Sequence, residues 1–180
     1  RQVLDSTTIE DAKEAYAAIR LARPGGLDRA ESQDVSTEPT MTLVQVMRLA
    51  AHRDTIASEY STGFDVTLGM AVPALERARR DGLSWDDAVV ETFLTLLAAI
   101  ADTHIARRSG PGLAADVTAR AHHVLAAGGV RTEAGRRAID ELDRGLRDAR
   151  NSGNPGTTAD LTAAAIFVVL LGGGFSNVAE

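Results

Sequence analysis

Three groups of residues in this chain combine types and spacings suited to chemistry on a phosphorylated substrate. The first is Asn154-Pro155-Gly156-Thr157-Thr158-Ala159-Asp160, which opens into an apolar helix from Leu161 to Leu171. Pro155 pushes Asn154 out of the α region and Gly156 permits positive φ, so the chain must turn there. Thr157 is then expected to cap the new helix, with Asp160 three residues on in capping-box position. Backbone N–H groups, two hydroxyls and a carboxylate would meet at the positive end of a helix dipole. Such a spot suits phosphate oxygens or a phosphate-bound metal. A turn followed by an ordinary cap explains the same residues without a ligand.

The second group is acidic. Asp54, Ser58, Ser61 and Asp65 recur at spacings that place them on one face of a continuous helix. That face is either solvated or a carboxylate pair lining a cleft, and Thr62-Gly63 would break the helix between the two acids. Glu91, Thr95 and Asp102 share a face in the same way, on what reads as a central helix from Trp85 to Arg108. Between Ala88 and Ala101 that helix is apolar almost all round, so Glu91 is either satisfied by an arginine or functional. The third group is cationic: Arg53 beside Asp54, and Arg107 shortly after Asp102, which offers a phosphate partner. His122 and His123 are adjacent and point about 100° apart, so they cannot share a metal as an i, i+4 pair would.

Helices must position all of these. Thr7 with Glu10 reads as the capping box of a first helix, whose stripe is Ile9, Ala12, Tyr16 and Ile19. It stops before Pro24-Gly25-Gly26. Leu43, Val46, Met47 and Ala50 mark a second helix, and Val66 to Arg80 a further one, started or kinked at Pro73. Ser84 caps the central helix, Leu113 to Ala127 follows, and Thr132 caps an amphipathic helix from Glu133 to Arg150. The expectation is a single all-α domain over residues 1–180, a compact bundle of about seven helices around Trp85–Arg108.

Composition narrows the function. With 19 basic and 25 acidic residues the net charge is −6, which argues against a general nucleic-acid binder. The absence of cysteine excludes disulfides, thiolate metal sites and a cysteine nucleophile, and fits a cytoplasmic protein. The run Ala163 to Leu171 is far short of the ~18 apolar residues of a spanning helix, so no membrane is expected. No Gly-x-x-x-x-Gly-Lys and no Gly-x-Gly-x-x-Gly after a strand is present, so a bound ATP would not sit in a P-loop or Rossmann site.

Four blocks carry a resemblance. Asn154-Pro-Gly-Thr-Thr-Ala-Asp-Leu161, with Phe167 beyond, is similar to the C-terminal signature of the triphosphoribosyl-dephospho-CoA synthase family. Pro24-Gly25-Gly26-Leu27 with Gln33-Asp34-Val35 resembles a segment of its archaeal-type and methylotroph-type branch. Arg53-Asp54-Thr55-Ile56-Ala57 with Tyr60, Gly63 and Phe64 resembles a third block, and Asp102-Thr103-His104-Ile105-Ala106-Arg107 a fourth. The blocks stand in family order and cover nearly the whole chain. The family's Pro-Lys-Pro-Gly-Asn-Val loop and Gly-Gly-Asn-Thr-Asn-Leu-Gly block are not found, which makes this chain read as the C-terminal portion of a longer protein.

The resemblance implies a transferase acting on ATP and 3′-dephospho-CoA. A ribose 2′-hydroxyl displaces adenine from the ATP ribose, the triphosphate is kept, and the product supplies a prosthetic group for lyase carrier proteins. Such a glycosyl transfer needs a carboxylate near the reacting carbon or hydroxyl, and Mg²⁺ with cations on the triphosphate. The resemblance then implies Asp54 and Asp102 as catalytic acids, and Asp54, Asp102 and Asp160 as candidate Mg²⁺ ligands. Arg53, Arg107, Asn154, Gly156, Thr157, Thr158 and Asp160 would contact the nucleotide. Two alternatives stay open: another nucleotide or pterin-cofactor precursor as acceptor, or a non-catalytic helical binding or assembly subunit. Homo-oligomerisation is also left open.

Overall fold

A computed structural model describes residues 2–22, 29–148 and 151–173. The block Pro24-Gly25-Gly26-Leu27 and the expected helix end at Arg150 lie outside them. The described residues form ten α-helices, one π turn and one 3-10 turn, with no strand among them. The all-α expectation holds. The number of helices exceeds the seven or so expected: one long helix is two, and a short helix, Gln2–Asp5, precedes the first expected one. The chain divides into two compact units, Arg1–Phe64 and Asp65–Glu180.

The first unit holds α1 (Gln2–Asp5), α2 (Ile9–Ala22), α3 (Leu43–Ala50) and α4 (Thr55–Thr62). Ala12, Tyr16 and Val46 form its core, with Val35 and Leu43 packed against them. The capping box at α2 is Thr8 with Asp11, one residue later than expected. The Thr8 N–H donates to Asp11 Oδ2 at 2.6 Å, and the Asp11 N–H to Thr8 Oγ1 at 3.2 Å. Thr7 is spent otherwise: its hydroxyl donates to the Leu4 carbonyl and accepts the Val44 N–H. Helix α4 stops at Thr62, where Gly63 takes φ 82° and its N–H closes on the Glu59 carbonyl. Phe64 follows at φ 68°. The continuous acidic face from Asp54 to Asp65 therefore does not exist, because the left-handed pair ends the helix that would have carried it.

The second unit begins with a π turn, Thr67–Ala71, and α5 (Val72–Arg80), with Pro73 in its first turn as expected of a starter. Then come α6 (Trp85–Ala99), α7 (Thr103–Ser109), α8 (Pro111–Ala126), a 3-10 turn (Gly129–Arg131), α9 (Glu133–Leu146) and α10 (Gly156–Leu171). Helix α6 packs against α5, α8 and α10. Six of its side chains are buried, Ala88, Thr92, Leu94, Leu96, Leu97 and Ala98, more than on any other helix described. Leu94, Leu97 and Ala98 meet Ile105, Val117, Val124 and Leu142 in the main core.

The expected helix Trp85–Arg108 is broken. Ile100 is extended, at φ −135° and ψ 125°, and Asp102 starts a new helix as its N-cap. A short carboxylate competes with helical geometry for nearby N–H groups, and Asp102 takes that competing conformation. Glu91 is satisfied by an arginine, the first of the two readings above. It pairs with Arg131 and also accepts the Val130 N–H at 3.4 Å. No single helix among the described residues is long and apolar enough to cross a membrane.

Candidate functional site

In the second unit, the site is organised by Asp102. Its Oδ1 accepts the N–H groups of His104 and Ile105, at 2.9 and 3.0 Å, and so caps α7. Its Oδ2 accepts both the N–H and the hydroxyl of Thr158, each at 2.8 Å, in the first turn of α10. One carboxylate thus caps two helices. The neighbouring threonines add a second tie: Thr103 Oγ1 and Thr157 Oγ1 lie 3.1 Å apart, and the His104 N–H also reaches Thr157 Oγ1 at 3.1 Å. The negative charge lies at the positive ends of two dipoles, which is where it is most stabilised.

These contacts correct several expectations. Asp102 is 1% exposed and its carboxylate accepts four hydrogen bonds, so it lies in the core, where the catalytic and Mg²⁺-ligand roles implied by the resemblance find no open oxygen. Thr157 is not the N-cap of the last helix, and no Thr157–Asp160 capping box forms. The helix begins at Gly156 after Pro155, without a side-chain cap of its own. The reason is that the helix starts earlier: Thr157 already lies inside it, the Ala159 N–H donates to the Pro155 carbonyl, and Asp102 from across the fold takes the Thr158 N–H. Thr157 and Thr158 are buried, while Asp160 is exposed beyond the first turn.

What faces outward beside this clamp is cationic. The Nδ1 of His104 lies 3.4 Å from Arg107 Nη2, and its Nε2 lies 3.5 Å from Arg108 Nη1. Gly156 lies against the same ring: a Cβ there would come within 3.1 Å of His104 Cγ. Arg107, expected from the sequence, is therefore joined by His104 and Arg108, which were not. The signal available for them was position alone, since both follow Asp102 on the helix that it starts.

Asn154 and Pro155 help to line a pocket of about 370 Å³ between α6 and α9. In the first unit, Asp54 caps α4, its Oδ1 accepting the N–H groups of Ile56 and Ala57 at 2.9 and 3.2 Å. With Arg53, Gln33 and Val35 it lines a pocket of about 250 Å³. Asp34 organises the loop on that pocket's wall. The hydroxyl of Ser36 and the N–H groups of Ala30 and Ser36 donate to its carboxylate and hold its pKa down at about 2. Each unit thus brings two of the four sequence blocks together: Gln33–Val35 with Arg53-Asp54, and Asp102–Arg107 with Asn154–Asp160. Among the described residues, no group of three His, Cys, Asp or Glu could hold a metal ion.

The profile of the ATP:dephospho-CoA triphosphoribosyl transferase family matches residues 1–178. The chain belongs to this family. Among its relatives, a probable 2-(5''-triphosphoribosyl)-3'-dephosphocoenzyme-A synthase of Pseudomonas putida is 42% identical over 106 residues, covering 59% of this chain and 37% of the relative. One of the same description from Pseudomonas syringae pv. syringae is 32% identical over 168 residues, covering 88% of this chain and 53% of the relative. The chain spans about half or less of the length of the curated relatives it matches. No solved structure matches it significantly. The triphosphoribosyl transferase profile runs through all four blocks, including the pair that meets at Asp102.

Proposed function

We propose that this chain takes part in transfer of the triphosphoribosyl group of ATP to the ribose 2′-hydroxyl of 3′-dephospho-CoA. Membership of the transferase family over residues 1–178 is the observation that carries this reading. In the reaction the 2′-oxygen bonds to the anomeric carbon of the ATP ribose while the bond from that carbon to adenine breaks. The hydroxyl proton passes to a base and adenine leaves protonated. Cytoplasmic cofactor assembly is the setting that fits such substrates.

On this reading the residues take different roles. Arg107 and Arg108, on either side of the His104 ring, form the cationic cluster we assign to the triphosphate, since guanidinium groups bind phosphate oxygens with directed, charge-assisted bonds. Asp102 is given a positioning role: it holds the starts of α7 and α10 together and so fixes where that cluster stands. Its four accepted hydrogen bonds do not fit a metal ligand or a free base. Asp54, with Arg53 on the pocket of the first unit, remains the acid proposed for proton transfer or for stabilising the oxocarbenium-like transition state.

Mg²⁺ uses one or two carboxylates together with phosphate oxygens and waters, so it needs no preformed cluster of protein ligands. Exposed Asp160 fits that requirement and buried Asp102 does not. Bound there, the ion would neutralise charge on the triphosphate.

Chromatography of the protein with ATP and 3′-dephospho-CoA tests the reading. Adenine should appear, with no ADP and no inorganic phosphate. Arg107→Ala should raise the KM for ATP about tenfold or more, the loss of one charge-assisted contact. ADP or phosphate in place of adenine would make the protein a kinase or hydrolase and end the transferase reading.

A further inference from the structure

The pocket of about 370 Å³ in the second unit is not used by the clamp or by the cationic cluster. Its walls are mostly apolar: Val90 and Phe93 come from α6, Ile139 and Leu146 from α9, while Asp143 and Arg147, which pair with each other at 2.7 Å, stand at its edge. Its polar end is formed by Asn151 and Asn154, at the loop that leads into α10. The Asn154 backbone is engaged, since its N–H donates to the Asn151 carbonyl and its own carbonyl accepts the Gly156 N–H. Its side-chain amide makes no hydrogen bond among the described residues. An amide that lines a mostly apolar pocket without a protein partner, where the charged pair beside it is already matched, is a group open to a ligand or to water.

We propose that this pocket takes an adenine base, read by the Asn154 amide. The size lies within the range of small-molecule pockets. An aromatic ring and branched aliphatic side chains suit a flat, apolar-faced heterocycle. An asparagine amide offers one donor and one acceptor in a plane, which matches the N7 acceptor and N6 donor of adenine. Hypoxanthine carries an acceptor at the corresponding position and leaves the amide oxygen facing an oxygen. The same loop reaches both places: Asn154 and Pro155 line the pocket, and Gly156 directly after them touches His104 of the cationic cluster. The assignment rests on the transferase reading for its expectation of an adenine nucleotide, and on the pocket alone for where the base goes.

The test is titration calorimetry of the full chain with adenosine and inosine, which carry no phosphate and so ignore the cationic cluster. Adenosine should bind, and inosine at least tenfold more weakly. Asn154→Asp keeps the size of the side chain but replaces its donor, and should weaken adenosine binding tenfold or more. Val90→Phe fills the pocket and should weaken both nucleosides together, with a thermal melt to show that it folds. Failure of adenosine to bind, equal binding of the two nucleosides, or indifference to Asn154→Asp overturns the assignment. Adenine release from ATP, measured beside it, separates the two claims. Release without an Asn154-dependent adenosine site leaves the transferase and removes this pocket. An Asn154-dependent site without release does the reverse.

Discussion

Oδ2 of Asp102 accepts the backbone N–H and the hydroxyl of Thr158, both at 2.8 Å, across 56 residues of chain. Neither residue is solvated, at 1% and 3% exposure. A buried carboxylate is tolerable only when its lone pairs are filled, and here each oxygen accepts two hydrogen bonds.

Removing the carboxylate should therefore act on stability before chemistry. Asp102→Ala leaves two helix starts and a buried hydroxyl without an acceptor, and should lower unfolding free energy by about 3–5 kcal/mol. Asp102→Asn keeps one acceptor and should lose about 1–3 kcal/mol, and Thr158→Val about 1–2 kcal/mol. Urea unfolding of the three variants and of the Asp102→Asn/Thr158→Val pair checks this. The two single losses should not add, because they remove the same contact.

Asp160 should behave in the opposite way. It is exposed and caps nothing, so Asp160→Ala should shift stability by no more than about 0.5 kcal/mol. Its affinity for Mg²⁺-ATP should fall several-fold, read by calorimetry with and without the metal. Unchanged affinity in the presence of Mg²⁺ would remove Asp160 from the site.

A purely steric prediction falls in the first turn of α9. A Cβ on Gly135 would overlap the carbonyl oxygen of Gly129, which is backbone and cannot swing aside. Gly129 itself sits at φ 54°, with Gly128 at φ 104° before it. Gly135→Ala should cost about 2 kcal/mol or more despite alanine's better helix propensity, a loss visible as a lowered Tm.

Acid should loosen one inter-helix contact. Arg136 on α9 donates through both Nη atoms to Asp87 in the first turn of α6, at 3.1 and 2.9 Å. That hydrogen bonding lowers the Asp87 pKa, so the carboxylate binds its proton less readily when folded than when unfolded. The pair thus stabilises the fold above the ordinary aspartate value of about 3.9, and the contribution fades as pH falls through the lower folded value. Stability measured against pH should lose part of its acid dependence in Arg136→Met.

Local signals in the sequence held where the partner is near in the chain. Ser84 caps α6 by accepting the Asp87 N–H at 3.1 Å, and Thr132 caps α9 by accepting the Gly135 N–H at 2.9 Å. The break also falls at Asn154-Pro155 as proline chemistry puts it, whereas Gly156 opens α10 as its first helical residue and takes no positive φ. Asp102 was misread because apolar residues run up to it and resume after it, so periodicity ran straight through a cap. Thr157 and Asp160 satisfied a capping pattern locally, yet the true acceptor for α10 comes from α7. A pattern of four residues cannot report a partner 56 residues away. His104 was overlooked although Arg107 and Arg108 stand three and four residues after it on one helix face, a spacing the sequence does carry; only its contact with Gly156 needs the fold.

The double cap also sets an order of birth. At about 5–20 residues per second, Thr158 leaves the ribosome roughly 3 to 11 s after Asp102. Until then the nascent chain can cap α7 with one oxygen of Asp102 while the other is answered only by water. Closing so long a loop is an entropic step that comes after the local helices have formed. The newly made protein therefore holds Arg107 and Arg108 on a helix not yet anchored to α10, and that helix takes its final place only when α10 arrives.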